Sequence, residues 1–528
     1  MPPILSEELV AQIIGLLELP TAYMIAELKA NDPNAYFDLR CNVRTLCNIS
    51  QASRALQRIA EPVLYKVFPG SLDGYVNRRL YTAALLAHPG RAELIKEFVL
   101  DDHEIYPGLP PAWNPWHTTY NQSWAYEPYH TKSSDWNVVL EEAFVKVLPQ
   151  LHRMIRRMTV IESFSKFFIK QVNEGHPDAV LAALILSCGG LESMDITMGG
   201  IYFAASIVAR AMYNPVDIAS GLPHCNQHNP PDMREVFNLY GDRFPNLQNL
   251  TLRGKPNVYA NVGPLMSLSQ LRTIIMVRMH AVGCMAHDRL SMGGGRNVAA
   301  LNWPGMSAIH LKQCSFNARE LPQISQFAPA LRTLEITLGT IEPFFRHGSC
   351  GDALRNAGQK LERLTLDSRR VGWGITYPAN SGNTYGYEET LSELIGSLKE
   401  LKSLKTLSAN ERLLTGPTRT TCFSRRPQPA VIEYETAKLV DVLPDNLEEL
   451  TLLGSLEAED GPMLGSHAAE EVEELLDSRP LAHLRCVKIS CHENRINNIN
   501  RLYRHLRGEL DGNEIEYRYS RTDLPESY

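Results

Sequence analysis

Three clusters in this chain place nucleophiles or metal-ligating side chains close together. His224-Cys225-x-x-His228 and His280-x-x-x-Cys284-x-x-His287 bring imidazoles and thiols within a few residues. Zinc sites draw four ligands from such groups, often in paired Cys-x-x-Cys units. Neither cluster has that pairing, so no metal is expected. His347-Gly348-Ser349-Cys350-Gly351 sets a hydroxyl among glycines, but it does not match Gly-x-Ser-x-Gly and no base or orienting acid accompanies it. Gly293-Gly294-Gly295-Arg296 lacks the Gly-Lys-Ser/Thr of a phosphate loop and reads as a turn. No catalytic residue and no cofactor is expected, and the chain is not expected to be an enzyme.

The stronger signal is a repeated pattern that must be structural. Leu-x-x-Leu-x-Leu recurs, in its cleanest form, at Leu247-Leu250-Leu252, Leu331-Leu334-Ile336, Leu361-Leu364-Leu366 and Leu447-Leu450-Leu452. With Ile, Val, Met and Ala standing in for Leu, copies begin at Ile95, Ile155, Leu191, Leu247, Leu271, Met306, Leu331, Leu361, Leu404, Leu447 and Leu484. A short strand with three apolar side chains buries them only by stacking on a neighbour, so repetition implies a solenoid. Between the strands, Asp178–Cys188, Asp232–Phe244, Glu389–Leu401 and Ile432–Leu443 read as helices.

This cycle resembles the leucine-rich repeat family over about residues 90 to 520, in an irregular form. Family repeats place Asn or Cys three residues after the last strand leucine; Cys314, after Leu311, fits. The fold class expected is α/β, an irregular leucine-rich-repeat solenoid of parallel strands with outer helices, over residues 71–528. Long insertions are expected at 103–136, 372–387 and 415–429.

Residues 1–70 differ. Ser6 can cap a helix through Leu17, with Leu9, Ile13, Leu16 and Leu17 on one face. A second helix covers Gln51–Ala60 and ends at Glu61-Pro62, and Val63–Phe68 reads as an extended exit. This order is similar to the F-box, with Pro3, Leu5, Leu9, Ile13, Leu16, Leu46, Ser50, Leu56, Ile59, Pro62, Leu64 and Tyr65 at its apolar and corner positions. The stretch Leu19–Cys41 is longer than the family's usual connection, and the second helix lacks a tryptophan. The whole chain looks like fungal F-box-like proteins with irregular leucine-rich repeats. The resemblance implies a substrate-recognition subunit of a cullin-based ubiquitin ligase. Pro3, Leu5, Leu9, Ile13, Leu16, Leu46, Leu56, Ile59, Pro62 and Leu64 would bind a Skp-family adaptor, and the repeats would hold a protein substrate. The alternative is a repeat scaffold unrelated to ubiquitin, whose first helices cap the open end of the array.

Two segments suit contact with a substrate. Residues 103 to 136 hold Trp113, Trp116, Trp124 and Trp136, with Tyr106, Tyr120, Tyr126, Tyr129 and five prolines. Tyr and Trp are favoured interface anchors, though these rings also suit packing on the first repeats. The Gly372–Tyr387 stretch, with Trp373 and Tyr385, has the Gly, Asn and Tyr content of adaptable loops. Arg419, Arg425 and Arg426 in the third insertion, and the acidic run Glu470, Glu471, Glu473 and Glu474, read as solvated charge.

The totals set limits. At 528 residues, 44% hydrophobic and 21% charged, the chain is too long for one compact core and too apolar for disorder. A net charge of −7 offers no general attraction to phosphate backbones, so no nucleic acid is expected as a partner. No apolar run is long enough to span a bilayer. Ten scattered cysteines and the absence of a signal-peptide pattern at Met1-Pro2-Pro3 suggest reduced thiols in cytoplasm or nucleus. Outside the ligase complex a monomer is expected.

Overall fold

The computed structural model describes the backbone at 6–17, 33–69, 87–100, 135–158, 162–173, 187–197, 244–253, 269–277, 303–314, 328–338, 358–367, 395–415, 420–421, 431–432, 437–453, 481–490 and 514–516, with a few single positions between them. By contact density the chain divides into two units, Met1–Lys255 with Ser267–Leu271, and Pro256–Met266 with Arg272–Tyr528. The class is α/β.

Among the described residues the first unit opens with helices α1 (Glu7–Gly15), α2 (Pro33–Ala52) and α3 (Arg54–Leu64). Strand β1 (Val67–Pro69), the turn of helix α4 (Pro89–Ala92) and strand β2 (Glu97–Leu100) follow. Two further helices, α5 (Asp135–Met158) and α6 (Glu162–Asn173), precede β3 (Ser193–Thr197) and β4 (Asn249–Arg253). Strands β1 to β4 pair in sequence order, all parallel.

The second unit holds β5 (Thr273–Val277), β6 (Ala308–Cys314), β7 (Thr333–Leu338), β8 (Arg363–Asp367) and β9 (Thr406–Asn410). A two-stranded antiparallel hairpin, β10 (Thr420–Thr421) with β11 (Val431–Ile432), stands apart from the parallel run. The parallel run then continues with β12 (Glu449–Leu453), β13 (Cys486–Ser490) and β14 (Glu514–Glu516).

Register shows why the repeat folds this way. Ile274, Ile309, Leu334, Leu364, Leu407, Leu450 and Val487 are aligned across β5 to β13, and all are buried. Two residues on, Met276, Leu311, Ile336, Leu366, Ala409 and Leu452 form a second buried column. Three residues upstream of the first column lie Met306, Leu331, Leu361, Leu404 and Leu447, again buried. Each buried leucine contributes about 1.5–3 kcal/mol. The intervening positions are partly exposed, so only one face of the strands is fully covered. Most parallel sheets are covered on both faces. Parallel strands with one fully buried face are consistent with a solenoid-like arrangement.

The turn before each strand extends the pattern. The amides of Leu247, Met306, Leu331, Leu361, Leu404 and Leu447 bond to the carbonyls of Phe244, Trp303, Ala328, Gly358, Leu401 and Pro444, each three residues earlier and each buried. Pro245-Asn246, Pro304-Gly305, Pro329-Ala330 and Asp445-Asn446 fill these turns, residue types that preset turn dihedrals. The carbonyl just inside the next turn then accepts two amides at once. Arg272 takes Ser307 and Ala308, Arg332 takes Glu362 and Arg363, Glu362 takes Lys405 and Thr406, and Lys405 takes Glu448 and Glu449, at 2.8–3.0 Å. Side chains at these positions alternate in sign through Arg332, Glu362, Lys405, Glu448 and Arg485. Arg332–Glu362 and Lys405–Glu448 pair at 2.9 and 3.0 Å. Cys314 is buried, and its thiol donates to the Met276 carbonyl of the preceding strand at 3.3 Å.

Ten of the eleven sequence-predicted copies lead into strands. Ile155 does not. It lies buried in α5 with Val147 and Leu151 at helical spacing, so Ile155 serves a helix face. Strands β1 and β14 carry no full copy of the pattern. The helix expected over Gln51–Ala60 is split. Helix α2 already runs from Pro33 to Ala52, Ser53 breaks it in extended backbone, and the Ser53 hydroxyl accepts the Leu56 amide at 3.2 Å to start α3. That helix continues through Pro62 to Leu64.

The expected helix Glu389–Leu401 is not formed where it is described. Gly396 has φ +78, and the amides of Ile395 and Leu398 bond to the carbonyls of Leu413 and Val442, not back along a helix. Arg355 holds this segment by donating to the carbonyls of Ile395 and Ser397, both at 3.0 Å. Among the described residues of Ile432–Leu443, Leu439–Val442 is helical. Its first amide donates to the buried carboxylate of Glu471 at 3.0 Å, while Lys438 pairs with Glu474 at 2.6 Å. Part of the acidic run is thus structural, where solvated charge was expected.

Leu364 is 1% exposed in the middle of the first column. Leu364→Asp places an unpaired carboxylate there and should destabilise the second unit by at least about 3 kcal/mol. Urea denaturation followed by circular dichroism measures this, and an unchanged midpoint would place Leu364 outside the core.

Candidate protein-docking surface

Helix α1 has two apolar faces. Ser6 starts it, its hydroxyl accepting the Leu9 amide at 3.2 Å, and Glu7 and Glu8 complement the helix dipole in the first turn. Val10, Ile14 and Leu17 turn inward, with Ile14 buried and the other two half-buried, and the helix packs on α3. Leu9, Ile13 and Leu16 lie on the other side, 42%, 49% and 83% exposed. Positions i, i+4 and i+7 make one stripe. Leu17, expected on that stripe, belongs to the packed side. Among the described residues only Val145 is a further exposed large hydrophobic.

The remaining predicted adaptor residues are distributed differently. Leu46 is wholly buried in α2, and Leu64 is buried at the end of α3. Leu56 and Ile59 are half-buried and Pro62 is exposed. Pro3 and Leu5 lie outside the described residues. The fold therefore gathers Leu9, Ile13 and Leu16 into one accessible patch and uses Leu46 and Leu64 as interior.

The helical segment is fastened to the strands that follow. Glu61 on α3 accepts from Gln57 Nε2 at 2.8 Å and from Arg91 Nε and Nη2 at 3.1 and 2.7 Å. The Arg91 guanidinium also lies 5.3 Å from the centre of the Tyr65 ring. Burial would raise the Glu61 pKa, but the hydrogen bonds from Gln57 and Arg91 and the charge of Arg91 outweigh it and hold the carboxyl below its ordinary 4.5. Sequence reading missed this clamp, because thirty residues separate its partners.

The partly exposed side of the strands is largely self-neutralised. Arg253 makes a bidentate bond to Asp195, with Nε–Oδ1 and Nη2–Oδ2 both 2.9 Å. His310 Nδ1 lies 2.6 Å from Glu335 Oε2, and Lys312 stands 3.9 Å from the same carboxylate. Burial pushes the Glu335 pKa up, yet the His310 hydrogen bond and the Lys312 charge bring it below the ordinary range. Hydroxyls of Thr365, Ser408 and Thr451 occupy the same row on the following strands.

The substrate-binding candidates Trp113, Trp116, Trp124, Tyr126, Trp373 and Tyr385 lie outside the described residues, as do the His224 and His280 clusters and residues 347–350. Trp136, expected in a loop, falls in the first turn of α5. Among the described residues no group of three or more His, Cys, Asp or Glu could hold a metal ion. No described helix is long and apolar enough to cross a membrane. Burial pushes the Cys188 thiol up to about 12, far from a reactive thiolate. Comparison with protein-family models returns no match, and no similar sequence is found among curated proteins.

The Glu61 clamp has a pH signature. A carboxyl held below its ordinary value stabilises the fold above about pH 4.5, and that contribution disappears as pH falls through the folded-state value. Thermal melting from neutral pH down through the carboxylate range should show a shallower acid decline for Glu61→Gln than for the wild type. Arg91→Ala should cost about 1–2 kcal/mol at neutral pH. Parallel acid declines in the wild type and Glu61→Gln would place the carboxyl outside the clamp.

Proposed function

We propose that the chain is a substrate-recognition subunit of a cullin-based ubiquitin ligase, of the F-box and leucine-rich-repeat kind. The observation that carries this reading is the exposed Leu9–Ile13–Leu16 stripe on a helix anchored to the start of a run of parallel strands. Three large apolar side chains facing water along one helix mark a protein interaction site, and a helix with such anchors suits docking to a partner's groove. In the proposed role the stripe binds a Skp-family adaptor and the strand array and its insertions hold a protein substrate. The chain supplies no bond-making chemistry. It raises the local concentration of substrate lysines beside a charged conjugating enzyme.

A second reading is favoured by the Glu61–Arg91 clamp and by the pairing of β1 with β2, which make the first helices continuous with the array. Under that reading they form the terminal cap of a scaffold unrelated to ubiquitin, and nothing docks on α1.

Co-expression with the adaptor, followed by size-exclusion chromatography, separates the two. The ligase reading expects comigration, lost in Leu9→Asp and Leu16→Asp while the melting temperature holds, because both side chains already face water. Burying a leucine side chain on docking is worth about 2 kcal/mol. Leu46→Asp is a folding variant, since Leu46 is interior. Absence of comigration in the wild type would leave the cap reading.

A further inference from the structure

We propose that the outward face of α5 binds an acidic, carboxylate-rich segment of a partner protein. The inference is independent of the adaptor reading, since it rests on a different helix. Between Val145 and Met158 the chain has four cations and no acidic residue. Lys146, Arg153, Arg156 and Arg157 are all exposed. Lys146, Arg153 and Arg157 are seven and eleven residues apart along the helix, two and three turns, so they share one face over about 16 Å. The opposite face is the packed one, with Val147, Leu151 and Ile155 buried.

The contrast with paired charges elsewhere among the described residues gives this face its meaning. In the turns Lys96 is matched with Glu192, Arg332 with Glu362 and Lys405 with Glu448, and on the strands Arg253 is matched with Asp195. On α5 none of the four cations makes an ion pair with another described residue. Arg156 and Arg157 in the last turn complement the helix dipole. Lys146 and Arg153 sit too far from the end for that, so capping does not account for the stripe. Val145, 61% exposed beside it, adds an apolar contact. The face thus complements a partner carrying three carboxylates over about 16 Å, which an extended segment of about five residues supplies, with an apolar side chain alongside. A protein segment fits better than a long polyanion. The patch is short, and it has no Phe, Tyr or Trp between Val145 and Met158 for base stacking.

Fluorescence anisotropy on the full chain tests this, with a labelled short Glu/Leu peptide, its Gln/Leu counterpart, a single-stranded oligonucleotide, and phosphatidylserine-containing vesicles by flotation. At about 0.15 M salt the Glu peptide should bind at least about tenfold tighter than the Gln peptide, the sum of three ordinary surface ion pairs. K146Q/R153Q/R157Q should lose that preference. Arg153→Gln alone should weaken binding about two- to threefold, which keeps the test open if the triple variant misfolds. Exchanging exposed cations elsewhere, Lys399→Gln with Lys402→Gln, should change nothing. Equal affinity for both peptides, an unaltered Arg153→Gln, or stronger binding of the oligonucleotide or vesicles lost in the same variants would overturn the proposal.

Discussion

One coupling holds this molecule together: leucine columns can be buried only where the backbone ladder is in parallel register, and the ladder is held only where the columns are buried. The turn carbonyls at Arg332, Glu362 and Lys405 each accept two amides from the next strand. That bond fixes the register in which Leu334, Leu364, Leu407 and Leu450 align. A slip of one residue would turn each column from the buried face to the partly exposed one. The opposite charges paired at the turn positions, Arg332 with Glu362 and Lys405 with Glu448, oppose such a slip because it would separate them, although each exposed pair contributes little by itself.

This arrangement explains how long insertions are accommodated. Each strand depends on its immediate neighbours, and closing a longer loop adds only slowly to the entropic cost. The β2-to-β3 connection can therefore hold α5 and α6, and the β9-to-β12 connection the β10–β11 hairpin, without breaking the ladder. Several charges on and beside the strands are paired, whereas α1 presents exposed leucines and α5 exposed cations.

The strand positions were legible in the sequence because three apolar residues at fixed spacing leave few alternatives to a buried strand edge. Ile155-Met158-Val160 shows the limit. The same residue types at i and i+3 also suit a helix, and only length decides between the two. The turn residues Phe244, Trp303 and Leu401 extend the buried pattern by three positions and were visible as apolar residues, but nothing in the sequence alone joins them to the strand. Segment 395–398 differs from expectation because the Leu and Glu content of the surrounding Glu389–Leu401 stretch favours a helix, while Arg355, forty residues away, binds the carbonyls of Ile395 and Ser397 in another conformation. At the candidate docking surface, Leu9, Ile13 and Leu16 followed from helical spacing. That Leu46 points inward did not, since amphipathic spacing marks an apolar face without saying what covers it.

Amide hydrogen exchange across the second unit tests the central coupling most directly, because it reports how each ladder opens. The account predicts slow exchange in β5 through β9, β12 and β13 alike, with Leu364→Asp speeding exchange first in β7, β8 and β9. Fast exchange in these strands in the wild type, or an effect of Leu364→Asp confined to β8, would contradict it.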